Sequence, residues 1–259
     1  MIKIFGVGNS FTEDAHTWLK QICEAGGIEV KLVTPFIGGH TFKRHMDKIE
    51  GNLPDYDLIV DGKNIGKKVT FMEALEMEDE WDIITFNQGS VQAGRPFTYY
   101  PYINQLKDIV LKHSPNAKLY IYQTWGYEYD AEHPYYPVYN CDQREMHTRT
   151  RDGYKLASRL LNAPIIPVGD VIQHLRDNVP EFDYKNGGMS LNRDGFHLTE
   201  IYGRYAAGLT FYASLFSGDV LKNNFLPKHA DKEADASIIE KIKNAVFEIV
   251  NRPIEEDDD

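Results

Sequence analysis

The chain has 259 residues, 42% of them apolar and 26% charged, a balance that excludes a disordered or fibrous protein and allows a sizeable core. Its 28 basic against 39 acidic residues give a net charge of −11, with five of the negatives in the terminal run Glu255, Glu256, Asp257, Asp258 and Asp259. The body remains at about −6 and has no Lys/Arg cluster longer than a pair, so the basic patch that phosphate-backbone binding requires is missing and nucleic acid is not an expected partner.

Strand-like and helix-like stretches alternate from the start, the pattern of βαβ units and of a doubly wound parallel sheet between two helical layers. Ile2–Val7 reads as the first strand, ending in Gly8, and a helical pattern follows from about Thr12, with Trp18, Leu19, Ile22 and Cys23 on one face, until Gly26-Gly27 stops it. Glu29–Thr34 reads as the second strand. The stretch Leu58–Phe71 has β-type runs around Asp61-Gly62 and Asn64, which predicts a small surface hairpin (58–71) inserted before a helix near Met72–Met77. Trp81–Phe86, Lys118–Gln123 and Pro164–Val168 complete five strands. Between the last two lies Trp125–Pro137, too rich in proline and aromatic residues for either period, and read as a functional loop. Leu198–Phe216 is an apolar helical pattern, and the 227–259 segment carries a last amphipathic helix around Ala234–Ile249 and the acidic tail. All of this fits one domain over 1–259, whose oligomeric state periodicity leaves open.

Cys23 and Cys141 are too far apart in sequence and too few for a disulfide framework or a four-ligand zinc site, and both read as free thiols. No Cys/His/Asp cluster has ligand spacing, so neither a metal nor a cofactor is expected. No stretch approaches the ~18–20 apolar residues of a membrane span. Met1-Ile2-Lys3-Ile4-Phe5 runs straight into a strand pattern without a signal peptide, so a cytoplasmic location is expected as the sequence stands, with a periplasmic or secreted one open if a leader has been removed.

Four segments have residue types that chemistry uses. Gly8-Asn9-Ser10-Phe11-Thr12 follows the first strand and opens the first helix, which puts a hydroxyl above the carboxyl ends of a parallel sheet, where such folds place ligands. The plain alternative is that Ser10 or Thr12 caps the helix. Asp194-Gly195-Phe196-His197 spaces a carboxylate and an imidazole so that one ring nitrogen meets Asp194 and the other faces outward, although Asp194 as a cap and His197 as a surface residue is the bland reading. Gly38-Gly39-His40-Thr41 and Asn87-Gln88-Gly89-Ser90 end the second and third strands and could aim donors at an oxyanion. Polar residues and glycines also end strands for no catalytic reason.

In this order the segments resemble the SGNH branch of the GDSL-type serine esterases and lipases. GNSFT, IGGHTF, QTWGYEYD, HPYYPVYN and DGFHLTEIYGRYAAG are similar to stretches of a bacterial SGNH subgroup catalogued only as a domain of unknown function, and the likeness runs from about Ile2 to Phe216. The resemblance implies a flavodoxin-like three-layer sheet fold with Ser10 as nucleophile, Gly39 as the glycine of the second block, and Asp194 and His197 as orienter and base. The family's usual Gly-x-Asn-Asp is replaced by Asn87-Gln88-Gly89-Ser90, which makes Gln88 the expected side-chain oxyanion donor and Asn87 the second choice, beside the N–H groups of Ser10 and Gly39. The nucleophile block also reads GNSF rather than GDS.

The implied activity is hydrolysis of an ester or acyl group, often on decorated carbohydrates, through an acyl-enzyme on Ser10. Trp125, Tyr127, Tyr129, Tyr135 and Tyr136 could offer flat faces to sugar rings, or equally pack as core, and His133 reads as a structural or rim residue. Two other readings stay open: a non-catalytic carbohydrate-binding protein on the same scaffold, which need not keep Ser10, Asp194 and His197 together, and an acyltransferase with a sugar hydroxyl as acceptor.

Overall fold

The computed structural model describes residues 1–252, so the acidic run predicted as a tail lies outside the described residues. The chain opens with β1 (Ile2–Val7), α1 (Ser10–His16), α2 (Leu19–Ala25), β2 (Val30–Phe36) and α3 (Phe42–Glu50). A hairpin of β3 (Tyr56–Val60) and β4 (Lys63–Val69) leads through α4 (Phe71–Leu75) to β5 (Ile83–Phe86), α5 (Ser90–Ala93) and α6 (Tyr102–His113). Then come β6 (Lys118–Tyr122), α7 (Gln143–Leu161), β7 (Ile165–Ile166), α8 (Val168–Asn178) and α9 (Tyr202–Phe216); a short ribbon, β8 (Lys228–His229) with β9 (Lys232–Glu233), precedes α10 (Ala236–Val250).

The main sheet has seven strands in the order β4-β3-β2-β1-β5-β6-β7, rather than the five expected. Five are parallel, and β3 and β4 add to the β2 edge in antiparallel fashion. The hairpin joins the sheet because Tyr56, Leu58 and Ile59 are buried and because Asp61 at its turn accepts from the Leu32 amide at 3.0 Å. An unpaired β2 edge would otherwise present free backbone groups.

Successive strand residues feed opposite faces, as the period of 2 requires. Ile4, Leu32 and Ile83 enter the core cluster covered by α1, α2, α8, α9 and α10, whereas Phe5, Val33 and Ile84 enter the cluster under α3, α4 and α6. The first predicted helix is two helices: Thr17 turns its hydroxyl back to the Glu13 carbonyl at 2.8 Å, a bond that competes with the ladder. The predicted Leu198 helix begins only at Tyr202, because Leu198 is held in an antiparallel bridge to Asn192.

β1 pairs with β2 on one side and with β5 on the other, so the strand order reverses at β1. Ligand sites of doubly wound sheets lie at the carboxyl ends of the strands at such a point. The segments after β1, β2 and β5 carry Ser10, Gly39 and Ser90, and they meet there.

Candidate active site

Asn9, not Ser10 or Thr12, is the N-cap of α1. Its extended backbone and side-chain oxygen receive the Phe11 amide at 3.0 Å, and the Thr12 hydroxyl accepts in return from the Asn9 N–H at 3.2 Å, a capping box. Ser10 is therefore the first helical residue, and its hydroxyl is not spent on the cap. Gly8 is required by close approach: a Cβ there would lie 1.9 Å from Asn87 Oδ1 and 2.0 Å from Thr12 Oγ1.

Ser10 Oγ lies 2.8 Å from His197 Nε2, and His197 Nδ1 lies 2.7 Å from Asp194 Oδ2. A carboxylate at Nδ1 fixes the proton on that nitrogen, so Nε2 is left to accept from the serine hydroxyl. Burial raises the Asp194 carboxyl, but hydrogen bonds from the His197 ring and from the His197 and Phe196 amides outweigh it and hold the group below the usual carboxylate range. The same carboxylate thus shapes its own turn, with the His197 N–H donating at 2.7 Å to Oδ1.

A second buried network locks this turn to α1. Asp14, fully buried one turn beyond Ser10, accepts from Arg193 Nη1 at 3.0 Å, Arg204 Nε at 2.8 Å and the Leu198 amide at 2.8 Å. From below, Trp125 stacks on Phe11 with ring centroids 4.2 Å apart and donates its indole N–H to the Phe196 carbonyl at 2.7 Å. Motif and spacing do not mark any of these partners as a positioning group, although the Asp14 and Arg193 charges flanking the two motifs are a visible signal in the sequence.

Ser10 and His197 open into a cavity of about 430 Å³ with Phe36, Gly39, Ser90, Val91, His133 and Phe196 in its walls. The Ser10 N–H is one of the helix-initial amides with no intrahelical acceptor. Gly39 has a left-handed backbone, φ 65°, and no neighbouring atom lies within 4 Å of where a Cβ would stand. Glu13 also lines the cavity, and burial pushes its carboxyl up despite nearby Arg204. Burial likewise lowers His133, with the His197 charge adding to the effect.

The expected side-chain oxyanion donors are not there. Gln88 is fully buried; its Oε1 accepts from the Phe42 and Gly89 amides at 2.9 and 3.0 Å, and its Nε2 donates to Thr98. Asn87 is also buried, accepting from the Thr12 hydroxyl and donating to Asn9. Both amides brace the strand-end loops, because their backbones lie where β5 meets the body of the sheet and no open face remains. Ser90, the next polar residue, does face the cavity, with its hydroxyl 2.7 Å from the Tyr127 hydroxyl. The aromatic loop divides in the same way. Trp125, Tyr127 and Tyr136 are core residues, a correction to the expectation that Trp125 and Tyr127 bind substrate, whereas His133 lines this cavity and Tyr135 lines a neighbouring one that also borders Gly39. Among the described residues no three His, Cys, Asp or Glu side chains converge as a metal-ligand set. No helix among them is long and apolar enough to cross a membrane.

The fold, a parallel-centred sheet between helical layers with Ser10 at the start of α1 and His197 in the loop before α9, is similar to that of solved structures described as SGNH hydrolases. The chain belongs to the family described as a domain of unknown function, DUF4886, whose model matches residues 3–248. A crystal structure of a DUF4886 family protein from Bacteroides uniformis ATCC 8492 is 30% identical, with a TM-score of 0.85 over 96% of this chain and 94% of that one. A protein from Slackia heliotrinireducens described as an SGNH hydrolase shares the fold at 19% identity and TM-score 0.54, over 83% of this chain and 98% of its own. A GDSL-like lipase structure from Parabacteroides merdae ATCC 43184 does so at 12% identity and TM-score 0.50, over 82% and 94%. No curated protein matches the chain.

Proposed function

We propose that the protein is a serine esterase that cleaves a carboxylic ester, a carbohydrate O-acyl ester in the reading favoured here, through an acyl-enzyme on Ser10. The observation that carries the reading is the continuous relay from Ser10 Oγ to His197 Nε2 at 2.8 Å and from His197 Nδ1 to Asp194 at 2.7 Å. His197 takes the hydroxyl proton as Ser10 attacks the ester carbonyl, and Asp194 stabilises the imidazolium that forms. The alkoxide oxygen of the tetrahedral intermediate is received by the Ser10 and Gly39 N–H groups, both beside the cavity. Collapse expels the alcohol, which takes the proton from His197. Water then enters by the same route in reverse and releases the acid. Phe11, Phe36 and Val91 give the cavity the apolar wall that a short acyl chain needs.

A fluorophosphonate probe reports an activated serine and tests the reading directly. Stoichiometric labelling at Ser10, located by peptide mass spectrometry and abolished in His197→Ala, is the expected result. An unlabelled native protein, or label on another serine, would overturn it.

A further inference from the structure

The cavity at Ser10 does not end at Gly39. Gly39, Val91 and His133 also line a second cavity of about 550 Å³, walled by the start of α3 and by the segment that contains Phe97. The His133 ring contacts Phe196 at 5.0 Å and Phe196 contacts His197 at 4.4 Å. The two cavities are therefore neighbours, and His133 and Phe196 link their shared border to His197.

Two features at this cavity lie outside the core packing. Phe97 and Tyr135 are 73% and 53% exposed, and neither packs against either core cluster. Flat apolar faces left in water beside a reactive group are what a ring-bearing ligand covers. The cations are the second feature. Lys43 is held by Asp47 at 2.7 Å, but Arg44, also in the wall, forms no ion pair with a carboxylate among the described residues. Arg95, which is not itself in the wall, lies over the Phe97 ring at 4.9 Å and has no carboxylate partner among the described residues. In a chain of net charge −11, an arginine of the cleft wall without an acidic partner, with a second arginine over the wall's Phe97 ring, points to an anionic ligand.

We infer that the second cavity receives the alcohol half of the ester, and that this half is an acidic sugar. Its ring lies on the Phe97 or Tyr135 face and its carboxylate is taken by Arg44, with Arg95 supporting. This identification of the substrate class rests on the esterase reading of Ser10, but the binding it predicts does not need turnover.

The test is calorimetric titration of the Ser10→Ala protein with methyl galacturonoside and, separately, with methyl galactoside, which differs in lacking the carboxylate. The acidic sugar binds about tenfold more tightly, as one charge-assisted arginine–carboxylate contact allows. On the same background Arg44→Gln removes that preference, and Phe97→Ala weakens both sugars by roughly five- to tenfold. Both positions are exposed, so the fold is not at stake. Equal affinity for the two sugars, no binding of either, or a preference untouched by Arg44→Gln overturns the inference. Fluorophosphonate labelling of the wild-type protein reports on the esterase reading alone, so the two can fail separately.

Discussion

The carboxylate of Asp14 accepts the Leu198 amide proton at 2.8 Å, joining the turn after Ser10 to the residue after His197 across 184 positions of sequence. The nucleophile and its base belong to elements at opposite ends of the chain, and this contact sets their separation. Arg193 and Arg204 complete the charge balance around a side chain that no solvent reaches. Asp14→Asn leaves Arg204 without a carboxylate partner among the described residues and Arg193 with only Glu200, 3.6 Å away, which costs on the order of 3 kcal/mol of stability. Urea unfolding gives the stability change. In the same variant kcat falls, since the displaced group is the turn that carries His197.

Removing the Ser10 hydroxyl or the His197 ring is expected to lower kcat by roughly 10⁴–10⁶, and the double variant to lose little more, because the two act as one unit. Esterase assays on short acyl esters, with circular dichroism to show an unchanged fold, measure this. Additive losses would contradict a shared role.

Gln88→Ala separates a scaffold role from a catalytic one. Deleting Oε1 strands the buried Phe42 and Gly89 amides, at a cost of about 1–3 kcal/mol in stability. An oxyanion donor would instead give a loss of roughly 10²–10³ in kcat with stability kept. Thermal unfolding beside initial rates distinguishes them; the packing of Gln88 predicts the first pattern, with Ser10 still labelled by the fluorophosphonate.

Stability should fall steeply in mild acid. Burial lowers His16 to about 4, His40 to about 4 and His45 to about 3, so the folded protein holds all three neutral while the unfolded chain binds protons from pH 6.5 downward. Their contribution is complete above pH 6.5 and is lost as pH falls toward 4. Each histidine adds up to about 1.4 kcal/mol per pH unit within that window. Unfolding midpoints between pH 7 and 5 measure the slope, and His16→Asn, where one ring nitrogen bonds only Thr34 and the other has no partner, should flatten it.

The alternation of strand and helix, the central apolar strand and the pairing of Asp194 with His197 were legible because each depends on local period or spacing. The run from Ile4 to Val7 is buried on both faces, and two side chains three residues apart on one turn are neighbours whatever surrounds them. The hairpin's place in the sheet, the division of the aromatic loop into core and rim, and the burial of Gln88 and Asn87 were decided by tertiary packing. An amide at a strand end turns to open space or to neighbouring backbone according to what lies beside it, here the start of α3 at Phe42. Ser10 and His197 show both contributions: the sequence supplied a hydroxyl on a helix start and an imidazole with its carboxylate, and only the fold, through Asp14 and the Arg193 and Arg204 ion pairs, brought them to 2.8 Å.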